Sequence, residues 1–271
     1  GNRTPLDAAA TPTMDMLARE GQTGLMYTVG KGIAPESDIA VISILGYDAM
    51  KYYTGRGPLE ALAVGLKIRD GDLAFRANLA TRGTGRQIRD RRVGRNLSTE
   101  EATQLSEEIN KKVKLDSIPA TFTFKNTLEY RGVLVARGVK NKLSGYVTNT
   151  DPAYTKHGLL GVAKETGTYE NIVEYCMPVH DCPDIDAAYR SALLVNEFTL
   201  KSCEVLDQSE VNKKRIKKGY LPANLVLLRD AGDCLPKLPS IKSKFKKNFG
   251  CFVEMPTEEG VALLTGMKIV P

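Results

Sequence analysis

The apolar positions of the chain fall into a few periodic stretches with sharp punctuation. Thr11, Pro12 and Gly21 bracket a first helix, with a hydroxyl residue at the cap, proline at the first helical position and glycine at the end. Met14, Leu17 and Ala18 form its apolar stripe. A strand is predicted over 24–29 and a loop over 30–36. Ile39 opens a run that is apolar as far as Leu45 and is closed by Gly46. A run this short fits a buried strand or a helix equally well. Further on, 73–80 reads as a strand with Arg76 embedded in it, and 121–124 and 131–136 as two more. Ser98 and Glu101 make the Ser-x-x-Glu capping box of a helix that runs to residue 113. A long helix over 186–206 carries Ala188, Ala192, Val195, Thr199 and Ser202 on one face, widened by Phe198 and Val205. A buried strand over 224–228, a strand over 252–254 and a helix over 257–264 complete the pattern, which is that of an α/β chain.

Composition narrows the class without fixing it. The 271 residues suffice for one large or two smaller domains. No apolar run approaches the ~20 residues that span a bilayer, and no basic-then-apolar leader opens the sequence. The net charge of +6 suits an anionic ligand and would equally suit nucleic acid. Aromatic residues are not interleaved with the basic ones, which argues against binding of single strands. The five cysteines include no CxxC pair, and the spacing of Cys176, His180 and Cys182 matches no standard zinc site. An odd count without a framework reads as reduced thiols in a cytoplasmic protein. Lys237, Lys242, Lys244, Lys246 and Lys247 mark a solvated linker or a hinge.

One segment carries candidate chemistry. Ser37 follows a proline-containing turn and opens the apolar run, and a tight turn, Thr54-Gly55-Arg56-Gly57-Pro58, brings a fixed positive charge shortly afterwards. A serine there is an ordinary helix cap. It is also well placed to carry a phosphoryl group, because first-turn amides are unpaired and the helix dipole favours negative charge.

This segment resembles the archaeal-type, cofactor-independent phosphoglycerate mutases of the alkaline phosphatase superfamily. The likeness continues in order through Arg3-Thr4-Pro5, Leu17-Ala18-Arg19-Glu20-Gly21, Tyr52-Tyr53-Thr54-Gly55-Arg56-Gly57-Pro58, Gly71-Asp72-Leu73-Ala74-Phe75-Arg76-Ala77-Asn78, Asp90-Arg91-Arg92-Val93-Gly94-Arg95, Asp151-Pro152 and Leu221-Pro222-Ala223-Asn224. It implies an alkaline-phosphatase-like three-layer α/β domain, partial here, with an inserted α/β substrate domain. The expected division is 1–67, 68–236 for the insertion, and 237–271 for the return.

The resemblance implies a reaction as well. 3-Phosphoglycerate and 2-phosphoglycerate are interconverted through a phosphoserine on Ser37, which two divalent ions (Mn2+, Mg2+ or similar) hold, with no 2,3-bisphosphoglycerate. A phosphate and a carboxylate on one small molecule call for forked, permanent cations, and Arg76, Arg91, Arg92, Arg95 and Arg131 are the candidates. Asp90 would orient an arginine or a substrate hydroxyl, and Asp151 faces the substrate in the family. Asn212 and Arg215 either belong to the site or punctuate a helix. The partner is a small molecule rather than nucleic acid or membrane, and the setting is cytoplasmic.

Three positions depart from the family pattern. Glu36 stands where a small residue is frequent, Val41 where histidine is frequent, and Tyr130 precedes Arg131 in place of histidine. The family's other metal ligands lie upstream of Gly1 and downstream of Pro271, so the chain reads as an internal portion of a longer enzyme, inactive alone. Two rivals remain: a phosphatase or other phosphomutase sharing Ser37, and a non-enzymatic protein that binds anions or nucleic acid.

Overall fold

The computed structural model of the chain describes residues 2–270. Its centre is β1 (Leu73–Arg82), buried along nearly all its length. β2 (Ile88–Asp90) pairs with the far end of β1. β3 (Ala120–Asn126) and β4 (Arg131–Gly138) form a hairpin whose inner strand, β4, borders β1. A separate small hairpin follows, β5 (Tyr154–His157) with β6 (Leu160–Ala163). β7 (Leu225–Gly232) then borders β1 on its other side. Every pairing in this five-stranded sheet is antiparallel. β8 (Gly250–Cys251) and β9 (Lys268–Ile269) make a short parallel pair.

Five helices precede the sheet: α1 (Pro5–Ala8), α2 (Pro12–Glu20), α3 (Ser37–Ile44), α4 (Ala49–Tyr52) and α5 (Arg56–Ala63). The ambiguous apolar run is therefore helical. α2 starts at Pro12 as the sequence predicts, but the Thr11 hydroxyl donates to Asp15 and caps no backbone amide. Its stripe stays exposed, with Leu17 at 61%. The strand expected over 24–29 does not form, and those residues carry no regular structure. Leu25, Met26 and Tyr27 are all exposed. A single strand has no ladder partner to satisfy its amides, and no described strand lies beside this one. The strand expected over 252–254 is likewise displaced, to β8.

α6 (Thr99–Lys112), α7 (Ile185–Asp207) and α8 (Glu210–Lys217) follow. The predicted capping box opens α6, Ser98 accepting from the Glu101 amide and Glu101 from the Ser98 amide. α6 and α7 cover one face of the sheet, where Leu73, Phe75, Ala77 and Leu79 meet Leu105, Ile109, Leu194, Val195 and Phe198 in the main core. Each large side chain fully buried there contributes about 1.5–3 kcal/mol. Asn212 and Arg215 prove to be internal ties: Asn212 joins the Leu206 and Ala223 backbones, and Arg215 joins Leu221, Asn96 and Glu101.

A second core unites distant parts of the chain. Ile39, Ile42, Tyr47, Ala49 and Leu59 pack with Ile241 and Val261. Ile241 begins α9 (Ile241–Phe245), so the lysine-rich stretch is anchored here, and Val261 lies on α10 (Pro256–Thr265). α5 bridges this core and the opposite sheet face, where Ala61 meets Ala74, Val133 and Val135. The two glycines of the Thr-Gly-Arg-Gly-Pro turn allow that approach. A Cβ at Gly57 would lie 2.2 Å from the Ala74 carbonyl oxygen. One at Gly55, where φ is 98°, would lie 2.4 Å from that of Ala231.

Candidate functional site

The sheet face turned away from the main core is where charge accumulates. Side chains alternate along a strand, so the residues flanking Phe75 and Ala77 on β1 project to the other side. Arg76 sits opposite Arg229 of β7, and Asn78 opposite Arg131 of β4. Arg56 and Glu60 reach this region from α5. Glu60 Oε1 accepts from Arg56 Nε at 2.6 Å and from Thr257 at 2.8 Å, with Arg76 Nη1 3.5 Å away. Burial would push the Glu60 carboxyl up, but Arg76 and Arg56 outweigh it and the net direction is down.

The serine stands at the rim of this cluster. Glu36, extended at φ −79° and ψ 167°, is the N-cap of α3, and Ser37 is the first helical residue. Ser37 is therefore not the cap, and it is exposed to solvent. Its neighbours point inward. Both Glu36 carboxylate oxygens lie 3.0 Å from Arg229 Nη1, and one lies 3.0 Å from Arg56 Nη1. Asp38 is buried and accepts from the Tyr53 hydroxyl at 2.5 Å, while its Oδ1 has no partner. Burial raises its carboxyl, opposed by Arg56.

Arg229 is the hub. Its guanidinium lies 3.7 Å from the centre of the Tyr154 ring and also bonds Asp230 at 3.0 Å. Tyr154 in turn stands 5.4 Å from Arg91, which grips Asp151 through both carboxylate oxygens. Arg91 and Asp151, named from the sequence, are thus joined through Tyr154 to the residues beside Ser37. Arg76, Arg131 and Arg229 each carry a buried Nε without a partner. Arg131 lies beside the Tyr130 ring, 5.1 Å from its centre.

Asp90 and Arg95 lie elsewhere. Asp90 Oδ1 accepts from the Arg92 and Gly94 amides at 2.7 and 3.1 Å, which folds the arginine-rich turn. Arg95, held at φ 55°, lines a hollow of 520 Å³ with Arg89, Asp90, Arg91, Arg92 and Asn171. Val41 is half-buried and packs against the second core. Cys176, His180 and Cys182 form no site: Cys176 is in the core, its thiol pushed up to about 12 by burial, and His180 is fully exposed. All five cysteines are unpaired.

Glu60, Tyr154, Lys156, Arg229 and Asp230 are not recognised from the sequence. A charge at the end of the apolar strand Leu225-Val226-Leu227-Leu228 is the same signal that marks Arg76. Asp230 is conspicuous in space. It is buried at φ 58°, a left-handed conformation that favours glycine or asparagine, and its Oδ1 has no partner. Burial pushes its carboxyl up to about 7; Arg229 opposes this, and Glu36 and Asp38 add repulsion. Lys156 donates to the Gly145 and Ala231 carbonyls at 2.7 and 3.0 Å, and burial brings it down to about 8.

The raised Asp230 value gives a signed pH dependence. The folded state favours the neutral acid, so that contribution is complete below 3.8, the ordinary value, and is lost as pH rises through about 7. Asp230→Asn keeps the shape, tolerates the backbone and cannot charge. Its melting temperature should match the wild type near pH 4 and exceed it at pH 8, which calorimetric melts across that range would check. A pH-independent difference would contradict it.

The resemblance implies a two-ion site around Ser37, and the donors present do not make one. Among the described residues no group of three or more His, Cys, Asp or Glu side chains could hold a metal ion. Glu36 is committed to arginines and Asp38 to Tyr53.

The chain thus presents an exposed serine at a helix start, backed by a sheet face of buried arginines. The sequence profile of the 2,3-bisphosphoglycerate-independent phosphoglycerate mutases matches residues 18–212, and the chain belongs to that family. It is 42% identical to the 2,3-bisphosphoglycerate-independent phosphoglycerate mutase of Aeropyrum pernix, over 98% of this chain and 62% of that protein. With that of Methanopyrus kandleri it shares 39% identity, over 98% and 58%. The cofactor-independent phosphoglycerate mutase structure from Thermoplasma acidophilum is 34% identical with a TM-score of 0.57, covering 100% of this chain and 65% of that one. A structure from Pyrococcus horikoshii is 26% identical with a TM-score of 0.65, covering 98% and 55%. The chain thus spans about three-fifths of the curated relatives it matches.

Proposed function

We propose that the chain provides the phosphoryl-carrying serine and the anion-binding face of a phosphoglycerate mutase. The observation that carries this is the placement of Ser37, exposed at the start of α3 and one residue from a carboxylate held by Arg56 and Arg229. Family membership supports the substrate, 2- or 3-phosphoglycerate. In the first half-reaction Ser37 Oγ bonds to phosphorus as the bond to the substrate oxygen breaks, and one proton passes from the serine to the departing oxygen. The glycerate turns, and the bond from Ser37 Oγ to phosphorus breaks as its other hydroxyl takes the phosphoryl group and gives its own proton to the serine oxygen. Arg76, Arg131 and Arg229 hold the anion, and the cluster of Arg91, Asp151 and Tyr154 closes the far side. Asp90 shapes the turn that presents Arg91 and Arg95. Water must be excluded while the phosphoserine persists.

No step is assigned to metal ions, because the residues present do not form their site. The 271 residues are accordingly expected to bind phosphoglycerate without turning it over. The segments 1–67 and 237–271, which share the second core, are proposed to form one alkaline-phosphatase-like domain, with 68–236 inserted in it. Among the described residues no helix is long and apolar enough to cross a membrane, and the unpaired thiols support a reducing, cytoplasmic setting.

The test is binding followed by phosphoenzyme trapping. 3-Phosphoglycerate titrated against the chain by NMR should shift Arg76, Arg91 and Arg131, with glycerol as the neutral control. In the enzyme showing turnover, rapid acid quench and peptide mass spectrometry should find phosphate on the peptide holding Ser37. Phosphate on another residue would refute the reading.

A further inference from the structure

Three carboxylates meet the arginines nearest Ser37, and only one of them is not fully buried. Glu60 is pinned by Arg56, Arg76 and Thr257 on a helix whose face is buried, and its side chain is 4% exposed. Asp230 is fixed by the strand and is 1% exposed. Glu36 is different. Its side chain is 14% exposed, and it sits on the extended residue before α3, at the solvent edge of the cluster. Its carboxylate spans Arg56 Nη1 and Arg229 Nη1 at 3.0 Å each, a fork made by two arginines whose charge-assisted donors also suit a phosphate or a substrate carboxylate. The next residue is Ser37, whose hydroxyl is exposed. Behind the fork, Arg229 Nε and Arg76 Nε are buried donors without acceptors.

We propose that Arg56 and Arg229 form an oxyanion subsite beside Ser37 and that Glu36 is its built-in competitor, filling the fork until an incoming anion displaces it. An internal carboxylate acts at high effective concentration, so the affinity for an external anion is multiplied by the fraction of molecules in which Glu36 has left the fork free. Glu36 thereby sets the threshold at which an anion engages, and it balances two guanidinium charges in the empty site. This goes beyond the mutase reading, because it concerns how any oxyanion reaches the serine. It is tested by binding alone, so its failure and that of the mutase reading are distinguishable.

Inorganic phosphate is the probe, titrated calorimetrically at constant ionic strength in chloride buffer. Glu36→Gln keeps the side chain's shape and removes its charge, and phosphate binding should tighten about tenfold. Adding Arg229→Gln to Glu36→Gln should cancel the gain. Should Glu36→Gln weaken the fold, phosphate should raise its melting temperature more than it raises that of the wild type. Unchanged or weaker phosphate binding with no such extra protection would overturn the proposal. So would a gain that survives loss of both Arg229 and Arg56, since it would arise elsewhere.

Discussion

Ser37→Ala should abolish mutase turnover and leave the fold intact. In the enzyme showing activity, an enolase-coupled assay should register a loss of roughly a thousandfold or more, because a missing nucleophile has no substitute within the step it performs. The fold should be indifferent. The side chain is exposed, caps nothing, and lies at a helix position where alanine is at least as favourable. Circular dichroism and the melting temperature should therefore match the wild type, and the affinity for phosphoglycerate should stay within a fewfold. Activity within tenfold of wild type would exclude Ser37 as the phosphoryl carrier.

Arg229→Leu is expected to have the largest effect on stability. It removes the cation shared by Glu36 and Asp230 and uncovers one face of Tyr154. Breaking a buried ion pair from one side strands the other charge, at about 3–5 kcal/mol. Urea unfolding should show a loss of that order. A double-mutant cycle locates its origin. If the stranded Glu36 carboxylate is the cause, Glu36→Gln combined with Arg229→Leu should destabilise by less than the sum of the two single changes. Strict additivity would mean that the loss comes from the Asp230 contact or from packing on Tyr154 instead.

Where neighbours along the chain decide the outcome, the sequence was easily read. The Ser98 and Glu101 box, the strand through Leu73 to Ala80 and the 23-residue helix α7 all appear close to where they were expected. The Ser37 region was legible as a motif but not as geometry: whether Ile39 to Leu45 were helix or strand depended on what surrounded them. The failed strand at 24–29 shows the same limit from the other side. Its composition favours a strand, but a strand exists only with a partner. The site was half legible for a related reason. Arg76 stood out because it is embedded in an apolar strand, and Arg91 because it lies in a dense basic block that the family resemblance also carries. The Arg76 and Arg229 pairing was not, because register between strands far apart in sequence leaves no local trace. Glu36 was noticed as an oddity, but its contacts with Arg56 and Arg229 could not be read from it, because those arginines arrive from two other elements.

The second core bears on the order in which the chain folds. Leu59 and Val261 pack together although most of the chain separates them. That separation is shorter in effect than in sequence, because the sheet between them starts and ends at one place. Ala74 pairs with Gly232, and the Gly71 amide donates to the Asp233 carbonyl at 2.9 Å. Once β1 and β7 have zipped together, the remaining closure is that of a short loop, with a correspondingly small entropic penalty. α3 and α5, made early on the ribosome, must therefore wait for α9 and α10. Until those emerge, Ile39, Ile42 and Leu59 lack the partners Ile241 and Val261 that cover them in the finished core.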